Sequence, residues 1–143
     1  AGFIGVPQMN FYDAKLIKNG SSYAVEIGGV SIDLSADKNQ KLAANNVEAQ
    51  DITVGVRPEH IELKGDASKM IKAKVDVSEM MGAQIYLHVN ALGKDGIIIV
   101  PTLDLGGKQF SLGEEIEFTF PGSVANLFDK NGVNLEVAPK AAE

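Results

Sequence analysis

The stretch Asp51-Ile-Thr-Val-Gly-Val-Arg-Pro-Glu-His-Ile-Glu-Leu63 constrains the fold more than any other part of the chain. Ile52, Val54 and Val56 alternate with other residues, which is the period of a half-buried strand. Pro58 has a fixed φ and no backbone N–H, so it cannot continue a central ladder. Ile61 and Leu63 resume the alternation. The spacing therefore predicts two strands joined at a stiff corner, in a chain whose structure is built from short strands and sharp turns.

The rest of the sequence follows the same rule. Residues 11–18 and 23–27 read as strands around Asn19-Gly20, a pair that favours a tight hairpin. Gly28-Gly29 makes a second turn into a strand over 30–34. Residues 35–46 break the pattern and suit a short surface helix with Ser35 as its cap. A polar loop covers 64–69. Alternation returns over 71–77, and Ser78-Glu-Met-Met-Gly82 is expected to interrupt it. Residues 84–89 form another strand. Ile97-Ile-Ile-Val100 is continuously apolar and predicts a central buried strand. In residues 115–120, Ile116, Phe118 and Phe120 are expected to face inward, with Glu115, Glu117 and Thr119 outward. Asn131-Gly132 predicts a hairpin turn before a last strand over 133–137, and 139–143 reads as a frayed tail. Roughly nine or ten short strands with one or two short helices indicate an all-β barrel or sandwich.

The chain has 143 residues, the size of one domain, and can bury a core without staples. It contains no cysteine, which excludes disulfides and thiolate chemistry. A formal charge of −6 repels phosphate backbones and argues against nucleic-acid binding. No apolar run approaches the ~20 residues of a membrane span. The start, Ala1-Gly-Phe-Ile-Gly-Val-Pro7, lacks both a basic segment and an initiator Met, so a fragment of a longer chain is expected rather than a secreted protein.

The residues offer little catalytic chemistry. Gly93-Lys94 and Gly107-Lys108 lack the spacing of a P-loop. His60 and His88 have no metal-ligand spacing, and a solvated corner and a strand face are the simpler places for them. Asp129-Lys-Asn-Gly132 fits a turn better than a calcium loop. Glu115 and Glu117 read as a solvated charge row, not an acid–base pair. Met80-Met81 reads as core filling, or as an adaptable interface if exposed. Arg57 and Glu59 flank Pro58. The simpler expectation is that they hydrogen-bond to neighbouring carbonyls and amides, so that Arg57→Ala lowers the melting temperature. The functional one is a charged contact at a domain or subunit interface.

Two motifs carry a resemblance. Phe3-Ile-Gly-Val-Pro-Gln-Met-Asn-Phe11 resembles the segment that joins the nucleotide-binding domain to the C-terminal domain in ATP-binding subunits of carbohydrate ABC importers. Gly55-Val-Arg-Pro-Glu-His60 resembles the corner that marks that C-terminal domain. Residues 75–89, Leu112-Gly113-Glu114 and Asn126-Leu-Phe-Asp129 add weaker matches. The resemblance implies an OB-like barrel of the transport-associated (TOBE) type over 12–138, after a linker remnant at 1–11 and before a tail at 139–143. Its implied site is the corner Gly55, Arg57, Pro58, Glu59 and His60, with linker residues Phe3, Gly5, Pro7, Met9 and Asn10. It further implies a non-catalytic regulatory and dimerising module on the cytoplasmic side of the cell membrane. The chain itself would hold no cofactor or metal, ATP and Mg belonging to the parent ATPase domain. Its partners would be a second copy, the upstream ATPase domain, the permease indirectly and a regulatory protein. Related modules in oxyanion importers leave a second reading open, a sensor of small oxyanions or sugars.

Overall fold

The computed structural model describes residues 8–137; the linker residues Phe3, Gly5 and Pro7 and the tail at 139–143 lie outside them. Nine strands, one α-helix and three short 3-10 turns are described. The strands are β1 (Asn10–Asn19), β2 (Ser22–Ile27), β3 (Val30–Asp33), β4 (Gln50–Val56), β5 (Ile71–Met81), β6 (Gln84–Ala91), β7 (Lys94–Pro101), β8 (Glu115–Phe118) and β9 (Asn126–Asp129). They form two antiparallel sheets, ordered β3-β2-β1-β4-β9 and β7-β6-β5-β8. The sheets curl around one core, the all-β OB-like architecture expected.

Alternation decides what faces that core. In β1, Tyr12, Ala14 and Leu16 are buried while Phe11, Asp13 and Lys15 are exposed. Tyr12 meets Phe118 of β8 at a centroid distance of 6.0 Å, which joins the sheets. The first three strands form the expected meander, although the first turn is Gly20-Ser21, one residue beyond the expected pair. The helix α1 (Ala36–Ala44) is capped by Ser35, whose hydroxyl accepts from the Lys38 N–H at 3.4 Å. Its buried face presents Leu42 and Lys38, and the Lys38 ammonium bonds both oxygens of Glu136 at 2.8 and 2.9 Å.

Five local expectations are corrected. Residues 78–81 do not interrupt a strand: β5 runs through to Met81, with a register shift between Val75 and Val77. The strand expected after Pro58 shrinks to one bridge, Glu62 to Thr119. The last strand is likewise one bridge, Phe128 to Asn134, because Asp129 accepts from the Asn131 and Val133 amides and turns the chain. Thr119 is buried rather than outward-facing. Ile98, Ile99 and Val100 are buried, yet β7 lies at the edge of its sheet; the Pro58 turn and β1 cover it. Glu115 and Glu117 do face solvent, opposite Lys74 and Lys72 of β5, as a solvated charge ladder.

Candidate interface site

The two sequence motifs are neighbours in the fold. β1 and β4 pair antiparallel, with Asn10 opposite Val56 and Phe11 opposite Gly55. Strand β1 thus begins at Asn10, inside the stretch read as linker. A side chain at Gly55 would force the Met9 and Phe11 side chains beside it to move. A Cβ there would lie 2.4 Å from the Met9 sulfur and 3.0 Å from the Phe11 ring. Asn126 of β9 adds a hydrogen bond of 3.1 Å to the Gly55 carbonyl.

Asn10 ties this pair to the other sheet. It is only 4% exposed, and its side chain acts as a strand partner for the edge of β7. Its Nδ2 donates to the Ile97 carbonyl at 2.9 Å, and its Oδ1 accepts from the Ile97 N–H at 2.7 Å. Both backbone groups of Ile97 are thereby satisfied without a neighbouring strand. The neighbouring Gly96 makes room, since a Cβ there would sit 2.5 Å from the Asn10 oxygen and 3.0 Å from the Tyr12 hydroxyl. Gly96 was not singled out from the sequence, and Ile97 and Asn126 stood there only within an apolar run and a weak motif match. The available signal was a glycine inside a strand, which marks a close approach of another group.

Beyond Val56 the chain turns on Pro58, the first residue of a 3-10 turn over Pro58–His60. A helix start tolerates a missing N–H, so proline fits there. The His60 amide closes the turn onto the Arg57 carbonyl at 3.0 Å. Pro58 and Ile61 are buried, whereas Arg57, Glu59 and His60 are exposed. Among the described residues, none of those three side chains makes a hydrogen bond or ion pair. The simpler expectation for Arg57 and Glu59 is therefore corrected. Apolar anchoring and backbone bonds hold the corner, and its charges stand on the surface.

Beside the corner lies an open groove of about 520 Å³ that includes Glu59, Glu62, Lys64 and Asp104. Another, across the first sheet, is lined by Asp13, Lys15, Glu26, Asp51 and Lys130. In each, carboxylates outnumber ammonium groups. A hydrogen bond from Lys130, with the nearby charges of Lys130 and Lys94, holds the Asp13 carboxyl below its ordinary range. Hydrogen bonds from Lys108 and from the Ser111 amide do the same for Glu114. Burial pushes the Tyr12 phenol up to about 12. His88 lies on β6 against Glu79 of β5. Among the described residues no group of three or more His, Cys, Asp or Glu side chains could hold a metal ion.

The MalK OB fold domain model matches residues 5–61, and the TOBE domain model matches residues 54–128. The two overlap at the Pro58 corner. This chain belongs to the TOBE domain family. Its relatives include the lactose transport ATP-binding protein LacK of Rhizobium radiobacter, 34% identical over 92% of this chain and 36% of that protein. The sn-glycerol-3-phosphate import ATP-binding protein UgpC of Chromobacterium violaceum is 31% identical over 90% of this chain and 32% of its own length. The oligosaccharides import ATP-binding protein MsmX of Bacillus subtilis is 27% identical, over 90% and 34% respectively. The chain spans about a third of the length of these curated relatives. The cytoplasmic molybdate-binding protein ModG shares the fold, with a TM-score of 0.64 at 14% identity over 87% of this chain and 95% of that one. Among the described residues, no helix is long and apolar enough to cross a membrane.

Proposed function

We propose that this chain is the regulatory module of the ATP-binding subunit of an ABC-type sugar importer. In this role it holds two such subunits together on the cytoplasmic side of the membrane and performs no chemistry itself. The observation that carries the reading is the similarity to importer ATP-binding subunits along some nine-tenths of the chain. The geometry of the joined motifs supports it. Asn10 fixes the first described strand to both sheets, so a force arriving through the upstream segment is passed to the barrel as a whole. The exposed charges of Arg57, Glu59 and His60 lie beside that entry point and suit contact with the ATPase domain. ATP and Mg would bind in that domain, and the permease would be reached through it.

The sensor reading is less well supported. The groove at the corner and the groove across the first sheet carry more carboxylates than ammonium groups, which disfavours an anion. Sedimentation equilibrium of the chain from micromolar to millimolar concentration tests the holding role. A monomer–dimer equilibrium in that range is the expected result. A strict monomer at the highest concentration would overturn it.

A further inference from the structure

Two asparagines of this chain precede a glycine, Asn19 and Asn131, and both lie in exposed turns. Such a pair carries chemistry of its own. The main-chain nitrogen of the glycine can attack the Cγ of the asparagine side chain, because glycine has no side chain to shield that nitrogen. The reaction asks three things of the structure: a side-chain amide free to turn, a glycine N–H not held in a hydrogen bond, and room for a five-membered ring.

Asn19 meets all three. It is the last residue of β1, opposite Ser22, with Gly20 and Ser21 making the two-residue hairpin turn. Residues 18–22 are all exposed. Gly20 has φ +62° at the first central position of the hairpin, where glycine is favoured. Among the described residues neither the Asn19 side chain nor the Gly20 N–H has a hydrogen-bond partner, and a Cβ on Gly20 would meet nothing within 4 Å.

Asn131 has the same neighbour and the same open space, but its turn is fastened. The Gly132 N–H donates to the Asp129 carbonyl at 2.9 Å, so the attacking nitrogen is occupied. The Asp129 carboxylate accepts from the Asn131 and Val133 amides, each at 2.9 Å. The Asp129 N–H donates to the Val133 carbonyl, also at 2.9 Å, and closes the turn from the other side. Moving the Asn131 backbone into an attacking geometry breaks several of these bonds together.

We propose that Asn19 is the site of spontaneous modification in this chain, a deamidation through a succinimide to isoaspartate and aspartate, and that the Asp129 turn withholds Asn131 from the same reaction. The Gly20 nitrogen gives up its proton and bonds to the Asn19 Cγ. The Cγ–Nδ2 bond breaks, and ammonia leaves with that proton. Water then opens the ring: addition at the main-chain carbonyl leaves isoaspartate, and addition at Cγ leaves aspartate. Each product adds a negative charge. Isoaspartate also inserts a methylene into the main chain, which undoes the pairing of residue 19 with Ser22. The change falls at the far end of β1 from Asn10, so the joint to Ile97 is left intact.

The whole chain is held in mildly alkaline buffer, sampled over weeks, cleaved in acid with pepsin and read by mass spectrometry. Electron-transfer fragmentation separates isoaspartate from aspartate. Asn19 should convert at least tenfold faster than Asn131, with isoaspartate the larger product. In concentrated urea, where neither turn persists, the two rates should agree within twofold. Asp129→Ala should speed conversion of Asn131 at least threefold and leave Asn19 unchanged; if that variant does not fold, the urea comparison decides. Equal rates in the folded chain, a faster Asn131, or an Asn19 that stays intact until the chain is unfolded would overturn the site. A tenfold ratio that persists in urea would overturn the part assigned to the Asp129 turn.

Discussion

Replacing Asn10 by alanine should cost far more than its place at the end of a strand suggests. The substitution removes the donor to the Ile97 carbonyl and the acceptor of the Ile97 N–H. Both groups belong to the edge of β7, where no strand can replace the lost partner. A buried polar group left unpaired costs about 1–3 kcal/mol. Ile97 is only half-buried, so water recovers part of this and the total should be about 2–3 kcal/mol. For a domain near this size that corresponds to a fall of roughly 5–10 °C in melting temperature. Thermal and urea unfolding followed by circular dichroism measure it. Asn10→Asp separates hydrogen bonding from volume. Its carboxylate can still accept from the Ile97 N–H but faces the Ile97 carbonyl with like charge. Protonation restores the donor, so the folded pKa of the new carboxyl should be raised. The stability it contributes is then present at low pH and lost as pH rises through that value. Asn10→Asp should therefore lie closer to the native protein at pH 4 than at pH 7. Gly96→Ala crowds the same amide and should cost less in an Asn10→Ala background than alone, since contacting sites are not additive. A loss below about 0.5 kcal/mol for Asn10→Ala, or strict additivity with Gly96→Ala, would refute the account of this joint.

Other substitutions test neighbouring parts of the account. Arg57→Ala should leave the melting temperature unchanged within about 1 °C, because its side chain has no partner among the described residues; a larger fall in differential scanning calorimetry would restore a structural role. Lys38→Ala strands the Glu136 carboxylate in a site where both side chains are 10% exposed, at a cost of about 3 kcal/mol in urea unfolding. Lys38→Met with Glu136→Leu should recover most of that loss. The Tyr12 phenol, moved by burial from 10.0 to about 12, should ionise last in an ultraviolet pH titration. Its folded pKa is raised, so the stability it supports is complete below pH 10 and falls as pH climbs toward 12; Tyr12→Phe should flatten that decline.

Local rules made much of the fold legible. Alternation and turn residues were enough for the β1–β3 meander, and Ser35 marked the start of α1. What escaped was set by distant parts of the chain. Residues 78–81 looked like an interruption because the shift between Val75 and Val77 moves the phase of the strand, and because among the described residues no third strand lies beyond to bury them. The apolar run at 97–100 showed that β7 is covered, but not that the Pro58 turn and β1 cover it in place of a flanking strand. The last strand failed at Asp129, whose side chain bonds two amides of the turn. The corner motif was visible as a motif. That its proline is the anchor and its charges are surface depends on burial, which spacing does not report. Gly96 was readable only once the Asn10 side chain was found against it.

The proposed role, holding two ATP-binding subunits of an importer together, can be tested in a working transporter. Joining the chain to the remainder of the Rhizobium radiobacter LacK protein, in place of the matching segment, tests it directly. Lactose uptake and ATP hydrolysis are measured in cells and membranes carrying the chimera, and again with the segment deleted. The account predicts uptake with the chimera and its loss on deletion. Uptake that is equal with and without the segment, or absent in a chimera that still hydrolyses ATP, would contradict it.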